Sequence, residues 1–298
     1  MAGPWSKEPG DRGPRIKIRP AAVAGTWYPG TPAGLSQEVD ALVARAAPHD
    51  ESLPSRALVG LIAPHAGMMY SGGVAAHAYR AAAGTKPDVV AVVGPSHFVG
   101  FDGVAICDCA AFETPLGVVT VDERAAEAIM SASPNVRPNT AAHAREHSLE
   151  MQLPFLQRVL PGVPIVPLAI GFQTRETILD LARALVAALD GRRPLLVAST
   201  DLSHYFDAET AARLDSRVAD LVTRFDDGGL LSEFERYPEH ERGRYVACGG
   251  GAAIAVMRAA RCLGAVEARV LKYAHSGEVS GDNEAVVGYL AAGLWKAN

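Results

Sequence analysis

Six short, mostly apolar runs constrain this chain more than any other feature. They cover residues 57–63 (ALVGLIA), 88–94 (DVVAVVG), 163–170, 194–199 (PLLVAS), 268–274 and 285–291. A strand with one wet face alternates apolar and polar residues, whereas continuous Val, Ile and Leu belong to strands covered on both faces. Between the runs lie Ala-rich segments of helical period at 33–46, 73–83, 123–132, 148–160, 177–190, 208–225 and 250–260. This alternation predicts a layered α/β fold, with a largely parallel central sheet flanked by helices. Residues 225–229 (FDDGG) and 237–243 read as loops, and neither divides the chain. Residues 1–15 are polar, rich in Pro and Gly, and read as a disordered tail with nothing to bury. Residues 16–298 read as one domain.

Charge narrows the function. Lys and Arg total 28 against 33 Asp and Glu, a net charge of −5. Nucleic-acid and anionic-membrane binding need a basic footprint, and neither partner is expected here. No apolar run approaches the roughly 18 residues that span a bilayer, and residues 1–14 lack the apolar core of a secretion signal. The expected location is the cytoplasm. The four cysteines are Cys107, Cys109, Cys248 and Cys262. They form no disulfide framework, which favours a reducing compartment. The Cys107-x-Cys109 pair reads as strand alternation.

Polar residues cluster where the apolar runs stop. The first run leads into Pro64-His65-Ala66-Gly67, the second into Gly94-Pro95-Ser96-His97, and the fourth into Asp201-Leu202-Ser203-His204. Open α/β sheets bind ligands beyond the carboxyl ends of their strands, so these groups are expected to converge. Each alone could be a turn or capping residue. In the segment 146–155 (EHSLEMQLPF), Glu146 and Glu150 are four apart, as are His143 and His147, and each pair shares a face if the segment is helical. His147 is the site candidate there, with Glu150 as orienter or acid/base. Cys248 precedes Gly249-Gly250-Gly251 at an expected helix start, where the dipole and free N–H groups favour a thiolate. A small buried hydrophobe is the plainer reading of such a cysteine.

Two His and one Cys with an open position make a redox-capable metal site, because imidazole suits Fe, Cu or Zn and a thiolate biases toward the softer ions. Structural zinc takes four closely paired protein ligands, a pattern the chain lacks. Asp201 and His204 would then handle protons. Neither a GxxxxGK[ST] loop nor a GxGxxG turn is present, so no nucleotide cofactor is expected. No GxSxG elbow is present either, which argues against an α/β-hydrolase.

These residues carry a resemblance. Arg19-Pro20-Ala21, Gly25-Thr26-Trp27-Tyr28-Pro29, Ala63-Pro64-His65-Ala66-Gly67 with Tyr70-Ser71-Gly72, Gly94-Pro95-Ser96-His97, Glu146-His147-Ser148-Leu149-Glu150, Asp201-Leu202-Ser203-His204 and Cys248-Gly249 occur in this order. Together they resemble the Memo family from Arg19 to Gly293, whose prokaryotic members are described as component B of the AmmeMemoRadiSam system. The resemblance implies a fold similar to LigB-like class III extradiol dioxygenases. It implies His65, His97 and Cys248 as metal ligands, with Asp201, His204 and His147 lining the same pocket. The dioxygenases use two His and a carboxylate, and here Cys stands in the carboxylate's place. Three functions follow: an iron- or copper-dependent oxidoreductase, a pocket-bearing binding or signalling protein for phosphopeptides or partner proteins, and a zinc-type hydrolase with His204 or Glu150 as base. The resemblance also implies association with other components of that system, including a radical SAM protein.

Overall fold

Every residue of Val89–Pro95 is buried. Its side chains alternate between two apolar layers: Val89, Ala91 and Val93 enter one, Val90 and Val92 the other. A strand in that position must be apolar throughout, which is why the run shows no polar alternation. The computed structural model describes residues 17–46 and 57–297. The tail expected over 1–15 lies outside the described residues.

In chain order the strands are β1 (Ile18–Arg19), β2 (Leu58–Ala63), β3 (Val89–Pro95), β4 (Val104–Ile106), β5 (Ala111–Thr114), β6 (Gly117–Thr120), β7 (Val136–Pro138), β8 (Ile165–Ile170), β9 (Pro194–Ser199), β10 (His204–Phe206), β11 (Ala265–His275) and β12 (Val286–Lys296). The helices are α1 (Pro32–Arg45), α2 (Met68–Ala82), α3 (Glu123–Ala132), α4 (Thr140–Ala144), α5 (Leu153–Val159), α6 (Arg175–Leu189), α7 (Ala208–Thr223), α8 (Asp227–Glu235), α9 (Glu239–Tyr245), α10 (Gly250–Cys262) and α11 (Gly277–Ser280).

The main sheet has nine strands. Its centre, in the order β2-β9-β3-β8, is parallel throughout, as the continuous runs predict. β12 joins β2 antiparallel and carries β11 and β10, also antiparallel. At the other end β4 runs antiparallel to β8, with β7 parallel to β4. β1, β5 and β6 form a small separate sheet. Helices α3, α6, α7, α8 and α10 contribute buried residues to one layer, and α1, α2 and α5 to the other. Among the described residues no helix is long and apolar enough to cross a membrane.

Three local expectations are corrected. Residues 225–229 open α8, with the Asp226 carboxylate accepting the Gly229 N–H at 2.7 Å as its N-cap, and residues 237–243 run into α9. The segment 148–160 is not one helix: a single 3-10 turn at Glu150–Gln152 precedes α5, and α4 ends at Ala144. His143 and His147 therefore lie on different elements. His143 is buried, with Nε2 3.1 Å from the Ala105 carbonyl. Finally, Cys107 and Cys109 lie beyond the end of β4 rather than alternating along it, and are joined as a disulfide.

Candidate metal centre

Because β2, β9 and β3 are parallel neighbours, their carboxyl ends share one edge. His65 follows β2, Asp201 follows β9 and His97 follows β3, so three turns distant in sequence meet. Cys248 arrives from the turn between α9 and α10. The donor atoms of His65, His97 and Cys248 all lie within 4.8 Å of one another, with Cys248 Sγ 3.2 Å from His65 Nε2. His65 is buried, Cys248 half-buried and His97 exposed, so the cluster opens on the His97 side.

Asp201 staples two of these turns together. Its Oδ1 accepts the His65 backbone N–H at 2.7 Å. Its own N–H donates to Cys248 Sγ at 3.3 Å, and its carbonyl accepts the Cys248 N–H at 3.2 Å. Burial raises the Asp201 pKa, against the pull of His204, the His65 N–H and His97. The glycines after Cys248 serve close packing. A Cβ on Gly249 would lie 2.3 Å from the Ser199 carbonyl at the end of β9, and one on Gly251 would lie 2.8 Å from Gln173 Oε1. Gln173 holds the same turn from both sides, donating to the Cys248 carbonyl at 2.6 Å and accepting the Gly251 N–H at 2.8 Å.

Glu146 is the functional residue that sequence reasoning passed over in favour of Glu150. Its carboxylate accepts the His97 backbone N–H at 2.6 Å and the N–H groups of His147 and Ser148 at 3.0 and 2.8 Å. It also lies 2.8 Å from His97 Nδ1. Burial would raise its pKa, but His97 and these N–H groups outweigh that and lower it to about 2. Glu150 lies elsewhere. It is fully buried, and Arg19, Tyr28 Oη (2.6 Å), Ala22 N (2.8 Å) and Val23 N (3.1 Å) all donate to it. No capacity for acid/base work in the cluster is left. What Glu150 does is pin the segment 19–28, whose Trp27 ring lies 4.2 Å from that of His147.

His147 stacks on His97 with ring centroids 4.5 Å apart and planes 13° from parallel. Its Nδ1 is buried without a hydrogen-bond partner. Burial and the neighbouring His65 and His97 lower its pKa to about 3, so the ring is neutral. The donors of His97, Glu146 and His147 also lie within 4.8 Å of one another. An imidazole binds an ion in its own plane, however, and two nearly parallel stacked planes do not meet at one ion. His97 and His147 therefore do not share one ion, and Glu146 serves His97 as a hydrogen-bond acceptor.

The electrostatics favour a thiolate. Burial works against it, but His65 and His97 overcome that and bring the Cys248 pKa down to about 6. Burial also opposes charge on His97, yet Cys248 and Glu146 prevail and raise its pKa to about 10. His204 stands apart from the three donors on β10, its Nδ1 2.7 Å from the Leu202 carbonyl. A carbonyl only accepts, so Nδ1 carries a proton. The Leu202 carbonyl, not Asp201, fixes that ring. Beside it Tyr205 adopts a left-handed backbone (φ 61°) and is 68% exposed.

A family model described as Memo-like protein matches residues 19–293. The chain belongs to the Memo family. A MEMO1 family protein of Methanothermobacter thermautotrophicus is 38% identical over 282 residues, covering 91% of this chain and 98% of its own. One of Nitrosopumilus maritimus is 36% identical over 275 residues, covering 91% and 98%. One of Thermotoga petrophila is 37% identical over 285 residues, covering 93% and 99%. The mixed α/β architecture, similar to that of LigB-like proteins, is the one expected for a Memo family member. The donor set fits a metal ion: two imidazoles and one thiolate of lowered pKa converge from three separate turns and leave a side open, a combination suited to soft or borderline ions.

Proposed function

We propose that this Memo family member is a metal-dependent oxidoreductase, dioxygenase-like in architecture, that holds iron or copper through His65, His97 and Cys248. The observation that carries the reading is the convergence of those three donors, a sulfur among them, at the carboxyl edge of the parallel sheet. Bound iron or copper would supply a one-electron redox couple and an open coordination position. The chain's own residues supply the rest. His204, oriented through its Nδ1–H by the Leu202 carbonyl, offers Nε2 for proton transfer. Asp201 keeps the His65 and Cys248 turns in register. Trp27 and the neutral His147 shield one wall of the pocket from water. Among partners, a radical SAM protein of the AmmeMemoRadiSam system is the one to test first, and the cytoplasm is the setting we propose.

The test is elemental analysis of protein purified without a metal-affinity step, joined to an anaerobic absorption spectrum. A thiolate-to-metal charge-transfer band that appears with iron or copper and vanishes in Cys248→Ser supports the reading. Stoichiometric zinc with no response to either ion would overturn it in favour of the hydrolase.

A further inference from the structure

Behind His65 lies a buried chain of polar groups that the proposed chemistry does not use. Tyr79, Gln152, Ser199 and Ser148 are each at most 1% exposed, as is His65. They come from four different elements: α2, the 3-10 turn, the last residue of β9 and the turn after Glu146. Ser199 Oγ is the junction. It lies 2.6 Å from the Ser148 carbonyl, 2.8 Å from Gln152 Nε2 and 2.9 Å from His65 Nδ1. Gln152 Nε2 is also 3.0 Å from the Pro64 carbonyl, and Gln152 Oε1 is 2.7 Å from Tyr79 Oη.

Two of these groups can only accept, and they fix the direction of every bond in the chain. The Pro64 carbonyl requires the amide nitrogen of Gln152 on its side, so the amide cannot be flipped. Tyr79 then donates to Gln152 Oε1. The second amide hydrogen of Gln152 points at Ser199 Oγ. The Ser148 carbonyl takes the one hydroxyl proton of Ser199. What Ser199 has left for His65 is a lone pair, so His65 Nδ1 must bring the proton.

We infer that Ser199 and Gln152 are positioning residues that keep a proton on His65 Nδ1, so that Nε2, which faces Cys248 Sγ at 3.2 Å, is the nitrogen left to bind at the metal centre. The value of this constraint rests on the metal reading above, whereas the Nδ1 proton itself does not. Partners that orient a ligating His through its other nitrogen typically change metal affinity 10–100-fold when lost. The carbonyls of Pro64 and Ser148 extend the device. Each belongs to a residue adjoining a site histidine, His65 and His147, so backbone placement and ring protonation are set together.

The experiment is a long-range 1H–15N correlation spectrum of the full-length, metal-free protein labelled at histidine and assigned with His65→Gln. The expected result is a protonated Nδ1 in the wild type, with Nε2 left to share a proton with Cys248 Sγ. In Ser199→Ala, Nδ1 protonation should become partial, with Co(II) affinity reduced about 10–100-fold while unfolding remains cooperative. Ser199→Thr, which keeps a hydroxyl, should restore both readouts. A bare Nδ1 in the wild type overturns the inference, and so does a Ser199→Ala protein unchanged in Nδ1 protonation and affinity. Should Ser199→Ala fail to fold, the wild-type spectrum decides alone. The expected wild-type Nδ1 proton with no Co(II) binding would overturn the metal reading and leave the Nδ1 assignment standing.

Discussion

Two glutamates four residues apart divide the labour at this edge of the sheet, and each sets an expectation. Glu150 and Arg19 form a buried ion pair inside a set of further hydrogen bonds. Removing one partner leaves an uncompensated buried charge, so Glu150→Ala should lose about 3–5 kcal/mol in urea denaturation. The double change Arg19→Met, Glu150→Leu should recover most of that loss, because no charge is then stranded. Cys248 gives a pH signature. Its pKa in the metal-free chain lies near 6, below the ordinary thiol value. The thiolate therefore persists above about pH 6 and is lost as pH falls through that value. Alkylation by iodoacetamide should follow a midpoint near 6 in the metal-free wild type and move toward about 8.5 in His65→Ala. His65, His97 and Cys248 were legible in the sequence because each adjoins a strand end or a glycine turn. Glu146 was not, since Glu146 and Glu150 have equal spacing and only the fold decides which one faces His97.

Short elements were harder to read than long ones. The continuous runs of β2, β3, β8 and β9 announce strands covered on both faces, and their parallel order places the site edge. α8 and α9 look like loops because Asp and Gly at 226–229 suggest a turn, although Asp226 in fact caps a helix. The 3-10 turn that leads directly into α5 is equally invisible, since 148–160 has an unbroken helical period. The glycines after Cys248 were read as permitting close approach, and the structure identifies what approaches. Gly249 packs against the carbonyl that ends β9. Gly249→Ala should push α10 off that strand end, destabilise the protein by about 1–3 kcal/mol, and move Cys248 out of the cluster. Paired measurements of Co(II) binding and urea unfolding check this. Unchanged binding in a protein of unchanged stability would refute the packing argument.

At the scale of the whole molecule, an ion that binds only the folded state stabilises it by mass action. At a free concentration about 100 times Kd the gain is about 2.7 kcal/mol, or roughly 4 °C in Tm for a chain of this size. Calorimetry with and without the ion should show that increase in the wild type and its absence in His65→Ala, which should keep a cooperative transition. The same architecture governs biosynthesis. β12 occupies an interior place between β2 and β11, yet β2 is made more than two hundred residues earlier. Until residues 286–296 leave the ribosome, a growing chain holds β2 with one edge bare, and Cys248 is itself a late arrival. β9, which stands between β2 and β3, must also be made before the turns of His65 and His97 become neighbours, so the cluster assembles only when most of the chain is out.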